Sequence, residues 1–107
     1  MRTLELKPEY LERLQKLLRE HVPWADVWAY GSRVNALCHE ASDLDLVLRN
    51  PAELSQPYEK LYELQEAFSE SDLPILVDIL DWARIPESFR KEIAQAHVIV
   101  HQADTKT

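Results

Sequence analysis

The chain holds a single glycine, Gly31. Average usage would place roughly seven in a chain of this length. Turns elsewhere therefore lean on 6 prolines and on Asn, Asp and Ser. A glycine kept at one point only answers a backbone demand that other residues meet poorly. It directly follows Val27-Trp28-Ala29-Tyr30 and precedes Ser32-Arg33. Residues of that kind favour a pleated surface, so the pattern reads as a strand, Ala25 to Tyr30, ended by a sharp turn.

Around this point helical and strand patterns alternate. Pro8 to His21 carries Leu11, Leu14, Leu17 and Leu18 at helical spacing, with a proline in the first turn and Val22-Pro23 as the stop. Arg33 to Ala41 reads as a short helix or turn. Leu44 to Leu48, in the run Asp43-Leu44-Asp45-Leu46-Val47-Leu48, reads as a second strand closed by Asn50-Pro51. Ser55 is the expected N-cap, with Pro57 in the first turn, for a helix from Gln56 to Phe68. Pro74 to Leu80 is apolar except for Asp78 and reads as a strand buried on both faces. Pro86 to Ala96 reads as a helix, His97 to His101 as a last strand, and Gln102 to Thr107 as a frayed tail. The expected fold is mixed α/β: a small mixed sheet flanked by helices. At 107 residues the chain makes one domain, with an N-terminal helical part (1–23), a core (24–101) and a tail (102–107).

Lys and Arg total 12 and Asp and Glu 19, a net charge of −7. Such a chain lacks the electrostatic footprint of a duplex-DNA or anionic-membrane binder, although metal ions can still bring phosphates to it. One cysteine, Cys38, allows no intramolecular disulfide and no thiolate cluster. The N-terminus has no signal-peptide run, and no stretch approaches the ~18 apolar residues of a membrane span, which points to a cytoplasmic protein.

The chemistry-bearing residues are carboxylates. Asp43 and Asp45 are two apart on the second expected strand and so point to one face. They repel each other unless a cation neutralises them. If the strand of Asp78 lies alongside, three oxygen donors converge, and hard divalent ions such as Mg²⁺ are their natural occupants. Two such ions would clamp the attacking and leaving oxygens of a phosphoryl displacement. The turn at Gly31-Ser32 offers backbone N–H groups and a hydroxyl to phosphates, and Arg33 can add charge.

Gly31-Ser32, ten residues, then Asp43-Leu44-Asp45, with Val77-Asp78-Ile79 further on, resembles the signature of the polymerase-β-like nucleotidyltransferases. The runs Tyr30-Gly31-Ser32-Arg33 and Ser42-Asp43-Leu44-Asp45-Leu46-Val47 are similar to the minimal nucleotidyltransferase (MNT) domains among them. The resemblance covers Trp24 to Val100. It implies the polymerase-β-like fold, with ATP as substrate and Mg²⁺ (two ions, with Mn²⁺ as a substitute) as cofactor. It implies that Asp43 and Asp45 hold metal, that Asp78 helps activate the acceptor, and that Gly31 and Ser32 hold the triphosphate. It further implies an antitoxin that transfers AMP to a hydroxyl, a tyrosine of a HEPN-type toxin partner encoded nearby. One departure is visible: Val34 to Cys38 carries no second glycine.

Other readings compete. The same chain can act as a binding module that neutralises its partner by contact alone. It can also be a small-molecule transferase of the aminoglycoside type, though few residues remain to hold such an acceptor. Leu48 stands where an EF-hand needs glycine. Asp81, three residues after Asp78, suits a cap on the next turn. His97 and His101 would suit a helical zinc pair, but their segment reads as strand. His39 reads as a solvated loop histidine. Trp24, Trp28 and Trp82 read as core or partner contact.

Overall fold

In the computed structural model, residues 4–34 and 43–103 are described. The first helix, α1, spans Pro8–His21 as the leucine spacing predicts. Leu14 and Leu18 on its inner stripe are fully buried. Strand β1 (Asp26–Tyr30) follows, then a 3-10 turn at Gly31–Val34. The rest of the ambiguous segment, with Cys38 and His39, lies outside the described residues. Strand β2 (Leu44–Arg49), helix α2 (Leu61–Glu70), strand β3 (Val77–Asp81), a 3-10 turn (Trp82–Arg84), helix α3 (Glu87–Gln95) and strand β4 (Val98–His101) complete the order.

The four strands form one sheet in the order β3-β2-β1-β4. β1 pairs antiparallel with β2 and with β4, while β2 and β3 are parallel. A parallel pair needs a crossover, and α2 supplies it. Alternation along the strands separates two faces. Val27, Ala29, Leu44, Leu46, Leu48, Val77 and Ile79 face α1 and α2 in the main core. Tyr30, Val47 and Leu80 face the other way, where Trp82, Ile93 and Phe89 cover them. On that second face the Arg49 guanidinium lies between Trp28, at 4.0 Å, and Trp82, at 4.5 Å. The ring of His97 stacks on Trp28 at 3.8 Å. Trp28 and Trp82 are thus packed into the second face rather than offered as stacking platforms.

Two expectations are corrected. The second helix begins at Leu61, not Gln56, and Ser55 does not cap it. The Ser55 hydroxyl donates instead to Glu53 at 2.7 Å. The segment before the helix is held by a distant residue: the Tyr58 backbone N–H donates to the Asp81 carboxylate at 2.7 Å. The third strand is shorter than Pro74 to Leu80 and is not buried on both faces. It lies at the sheet edge, and Leu76 and Asp78 are exposed. A continuous apolar run predicts a central strand, but only the sheet order says which strand is at the edge.

That edge is closed by a side chain. The Gln65 amide of α2 donates to the Val77 carbonyl, and its oxygen accepts from the Ile79 N–H at 3.1 Å. One side chain thus takes the place of a further strand beside Asp78 and blunts an edge that would otherwise invite pairing.

Candidate active site

The site forms at the end of the second face that α3 leaves uncovered. Its centre is a row across three strands. Asp45 of β2 pairs in register with Asp78 of β3 on one side and with Tyr30 of β1 on the other. Parallel pairing puts the two aspartates on the same face, so the convergence expected of Asp45 and Asp78 is present. Asp43 is the exposed residue just before β2, two residues from Asp45. Asp78 is an exposed group at the rim rather than a charge sealed inside a strand.

The electrostatics follow from this crowding. Partial burial raises the Asp45 pKa, and the neighbouring Asp78 and Asp43 raise it further. Burial likewise pushes the Tyr30 phenol well above its ordinary range, with Asp45 and then Asp78 adding to it. Tyr30 is therefore a neutral hydroxyl beside the carboxylates, with its ring held edge-on by Phe89 at 5.6 Å between centroids.

Gly31 answers two demands at once. Its φ is +81°, a region that side-chain-bearing residues avoid. A Cβ there would also stand 2.6 Å from the Asp45 carboxylate oxygen Oδ2. The turn therefore passes directly over the carboxylate, which brings the Gly31-Ser32 backbone next to Asp45. A glycine was expected here so that a ligand can approach the chain. The structure adds a closer reason, the space taken by Asp45 itself.

Ser32 is partly exposed in the same turn. Arg33 is buried, and its Nη1 donates to the Glu5 carbonyl at 2.7 Å. The Glu5 N–H returns a bond to the Arg33 carbonyl at 2.7 Å. Arg33 thus straps the N-terminal segment to the glycine turn, a role that spacing in the sequence did not suggest.

Asp81 is buried and accepts from the Tyr58 and Ala83 backbone N–H groups, with Arg84 at 3.5 Å. It caps the following turn, as expected, and is not a fourth ligand. His97 and His101 each set Nδ1 against a backbone carbonyl, of Ile93 at 3.1 Å and of Ala25 at 2.9 Å. Sequence reasoning did not single out Tyr30 or Gln65. Tyr30 was detectable by its position directly before the glycine. No local signal marks Gln65, whose partners lie 12 and 14 residues away.

The donor chemistry fits a hard divalent cation. The row offers carboxylate oxygens whose mutual repulsion a cation relieves. Among the described residues no group of three or more His, Cys, Asp or Glu side chains is placed to hold a metal ion by itself.

Comparison with known proteins gives the family. The profile of the family described as "Poly(A) RNA polymerase, mitochondrial-like, central palm domain" matches residues 1–102. The chain is 41% identical over 103 residues to the "Probable protein adenylyltransferase MntA" of Haemophilus influenzae, covering 94% of this chain and 87% of that protein. Its fold is similar to a crystal structure described as a toxin-antitoxin with AMP-PNP, with TM-score 0.69, 18% identity, and coverage of 89% of this chain and 74% of that one. It is also similar to a structure of the toxin-antitoxin MntA-HepT, with TM-score 0.64, 16% identity, and coverage of 92% and 74%. A palm sheet with paired aspartates beside a glycine turn, and a relative so close over nearly the whole chain, place this protein in the minimal nucleotidyltransferase family of the polymerase-β-like palm domains, and it is a nucleotidyltransferase.

Proposed function

We propose that the chain transfers AMP from ATP, with Mg²⁺, to a tyrosine hydroxyl of a HEPN-type toxin, and that it acts as the antitoxin of that toxin. The observation that carries the reading is the in-register pair Asp45–Asp78 beneath the Gly31 turn, in a chain 41% identical to a probable protein adenylyltransferase. The triphosphate lies along Gly31 and Ser32, where the backbone can approach phosphate oxygens. The acceptor oxygen bonds to the α-phosphorus, the bond from that phosphorus to the bridging oxygen breaks, and pyrophosphate leaves. The hydroxyl proton passes to the Asp78 carboxylate, which is exposed and free to meet an acceptor. Asp43, Asp45 and Asp78 are the residues that would hold Mg²⁺, two ions in full occupancy, with Mn²⁺ as a substitute. The cation supplies neutralisation of the phosphate charge.

Tyr30 stays protonated throughout and lends a neutral hydroxyl to the row. Arg33 acts on the turn through its bond to Glu5 and adds positive charge beside Gly31 and Ser32. No described helix is long and apolar enough to cross a membrane. The reading places the protein with its toxin in the cytoplasm. The test is incubation of the chain with Mg²⁺, ATP labelled on the α-phosphate, and a HEPN-type toxin. Label is expected on a toxin tyrosine and absent when Asp43 and Asp45 are both changed to Asn.

A further inference from the structure

Leu76 is the most exposed large apolar side chain among the described residues, at 74%. A lone exposed leucine means little by itself. Its position carries the meaning. Ile75, Val77 and Ile79 belong to the main core, so Leu76 alternates with them onto the face of Asp78. The Leu76 carbonyl accepts from the Leu44 N–H at 2.8 Å, continuing the β2–β3 ladder by one step. Its backbone is therefore fixed to the strand that carries Asp45. It lies one side-chain step beyond Asp78 on the same strand face, roughly 7 Å away.

The sheet order assigns the two directions of approach. The Gly31-Ser32 turn lies on the β1 side of Asp45, and Asp78 lies on the opposite, β3 side. In an in-line displacement the attacking and leaving oxygens stand on opposite sides of phosphorus. With the triphosphate on the β1 side, the acceptor enters over β3. That strand is an edge, so entry meets no further strand. An acceptor whose hydroxyl reaches Asp78 lays the rest of its side chain outward over Leu76. Serine and threonine are too short to cover it, while the ring of a tyrosine spans the step.

We infer that Leu76 is a specificity residue: it packs against the aromatic ring that carries the acceptor hydroxyl while Asp78 receives the proton. This rests on the transfer reading above and adds to it the side chain that holds the tyrosine ring. The carboxylates at the rim also disfavour an acidic flank on that segment. Because the Leu76 backbone is already anchored, little ordering is lost when the ring arrives.

The test uses the full chain with labelled ATP, Mg²⁺ and a HEPN-type toxin as acceptor. Leu76→Ala should raise KM for the toxin roughly tenfold and Leu76→Glu by more, the scale of losing one apolar anchor. Leu76→Met should restore it. In Leu76→Ala and Leu76→Met the kcat at saturating toxin, the affinity for Mg–ATP and the melting temperature should match the parent. If the parent labels no toxin, the transfer reading falls and this inference with it. If the parent labels the toxin and neither variant changes KM, this inference alone falls. It also falls if KM is unchanged while Leu76→Glu breaks up a self-associated species in sedimentation, because the residue then serves contact between copies.

Discussion

Replacing Gly31 with alanine perturbs backbone and site together. At φ +81° the new Cβ meets the strain of a left-handed conformation, about 1–2 kcal/mol. It also stands 2.6 Å from Asp45 Oδ2, where ordinary contact begins at 3.4 Å, so the carboxylate must retreat by 3.4 − 2.6 = 0.8 Å. A displacement of that size at a reacting centre costs on the order of 100-fold in rate. The two effects separate in a double variant. In Asp45→Ala the Asp45 atom left nearest the added Cβ is its Cβ, at 3.6 Å, an ordinary contact. Adding Gly31→Ala to that background should then cost only the backbone part. Denaturant or thermal melting of the four proteins gives the cycle. Gly31→Ala alone should melt on the order of 5–10 °C below the parent. It should also transfer AMP about 100-fold more slowly. If Gly31→Ala melts and turns over like the parent, the turn does not sit over Asp45 as described.

Further outcomes follow from other contacts. Gln65→Ala strips the Val77 carbonyl and the Ile79 N–H of their partner, so about 1–3 kcal/mol of stability should be lost, and chemical denaturation measures it. Asp81→Ala leaves the Tyr58 and Ala83 N–H groups without their carboxylate. It should lower stability by about 2–4 kcal/mol while any folded protein keeps the parent's kcat. The pH dependence of stability carries the sign of Asp45. Its folded pKa lies above 3.8, first through burial and then through Asp78 and Asp43. Its contribution is therefore fully present below 3.8 and is lost as pH rises through the folded value. In metal-free buffer, Asp45→Asn should remove that loss and melt above the parent at neutral pH. Mg–ATP should stabilise the parent but not the variant. A variant that melts with the parent at every pH would refute the crowding.

Much of this architecture is legible along the chain where the cause is local. The leucine stripe of α1 depends on neighbours three or four residues away and the strand before Gly31 on neighbours two away, and both elements form where expected. The convergence of Asp45 with Asp78 is conditional in the sequence. It needs β2 beside β3, and a pattern of apolar residues does not state which strands are neighbours. The remainder is tertiary. Asp78 is exposed because β3 is an edge, and α2 starts late because Asp81 holds Tyr58 across 23 residues. The space beneath Gly31 belongs to Asp45, fourteen positions on, and the Arg33 strap closes on Glu5, 28 residues away. None of these contacts leaves a periodicity to read.

The most direct measurement of the central claim is single-turnover transfer by Asp78→Asn. The substitution keeps the side-chain volume, and the site is exposed, so fold and partner contact should persist. With Mg²⁺, α-labelled ATP and a HEPN-type toxin, the parent should label a toxin tyrosine. The variant should bind the toxin with the parent's affinity yet label it slower by roughly 10²–10⁴-fold, the range expected for loss of a positioned base. Labelling by Asp78→Asn at the parent's rate would contradict the account, and so would full protection from the toxin by a variant that transfers nothing.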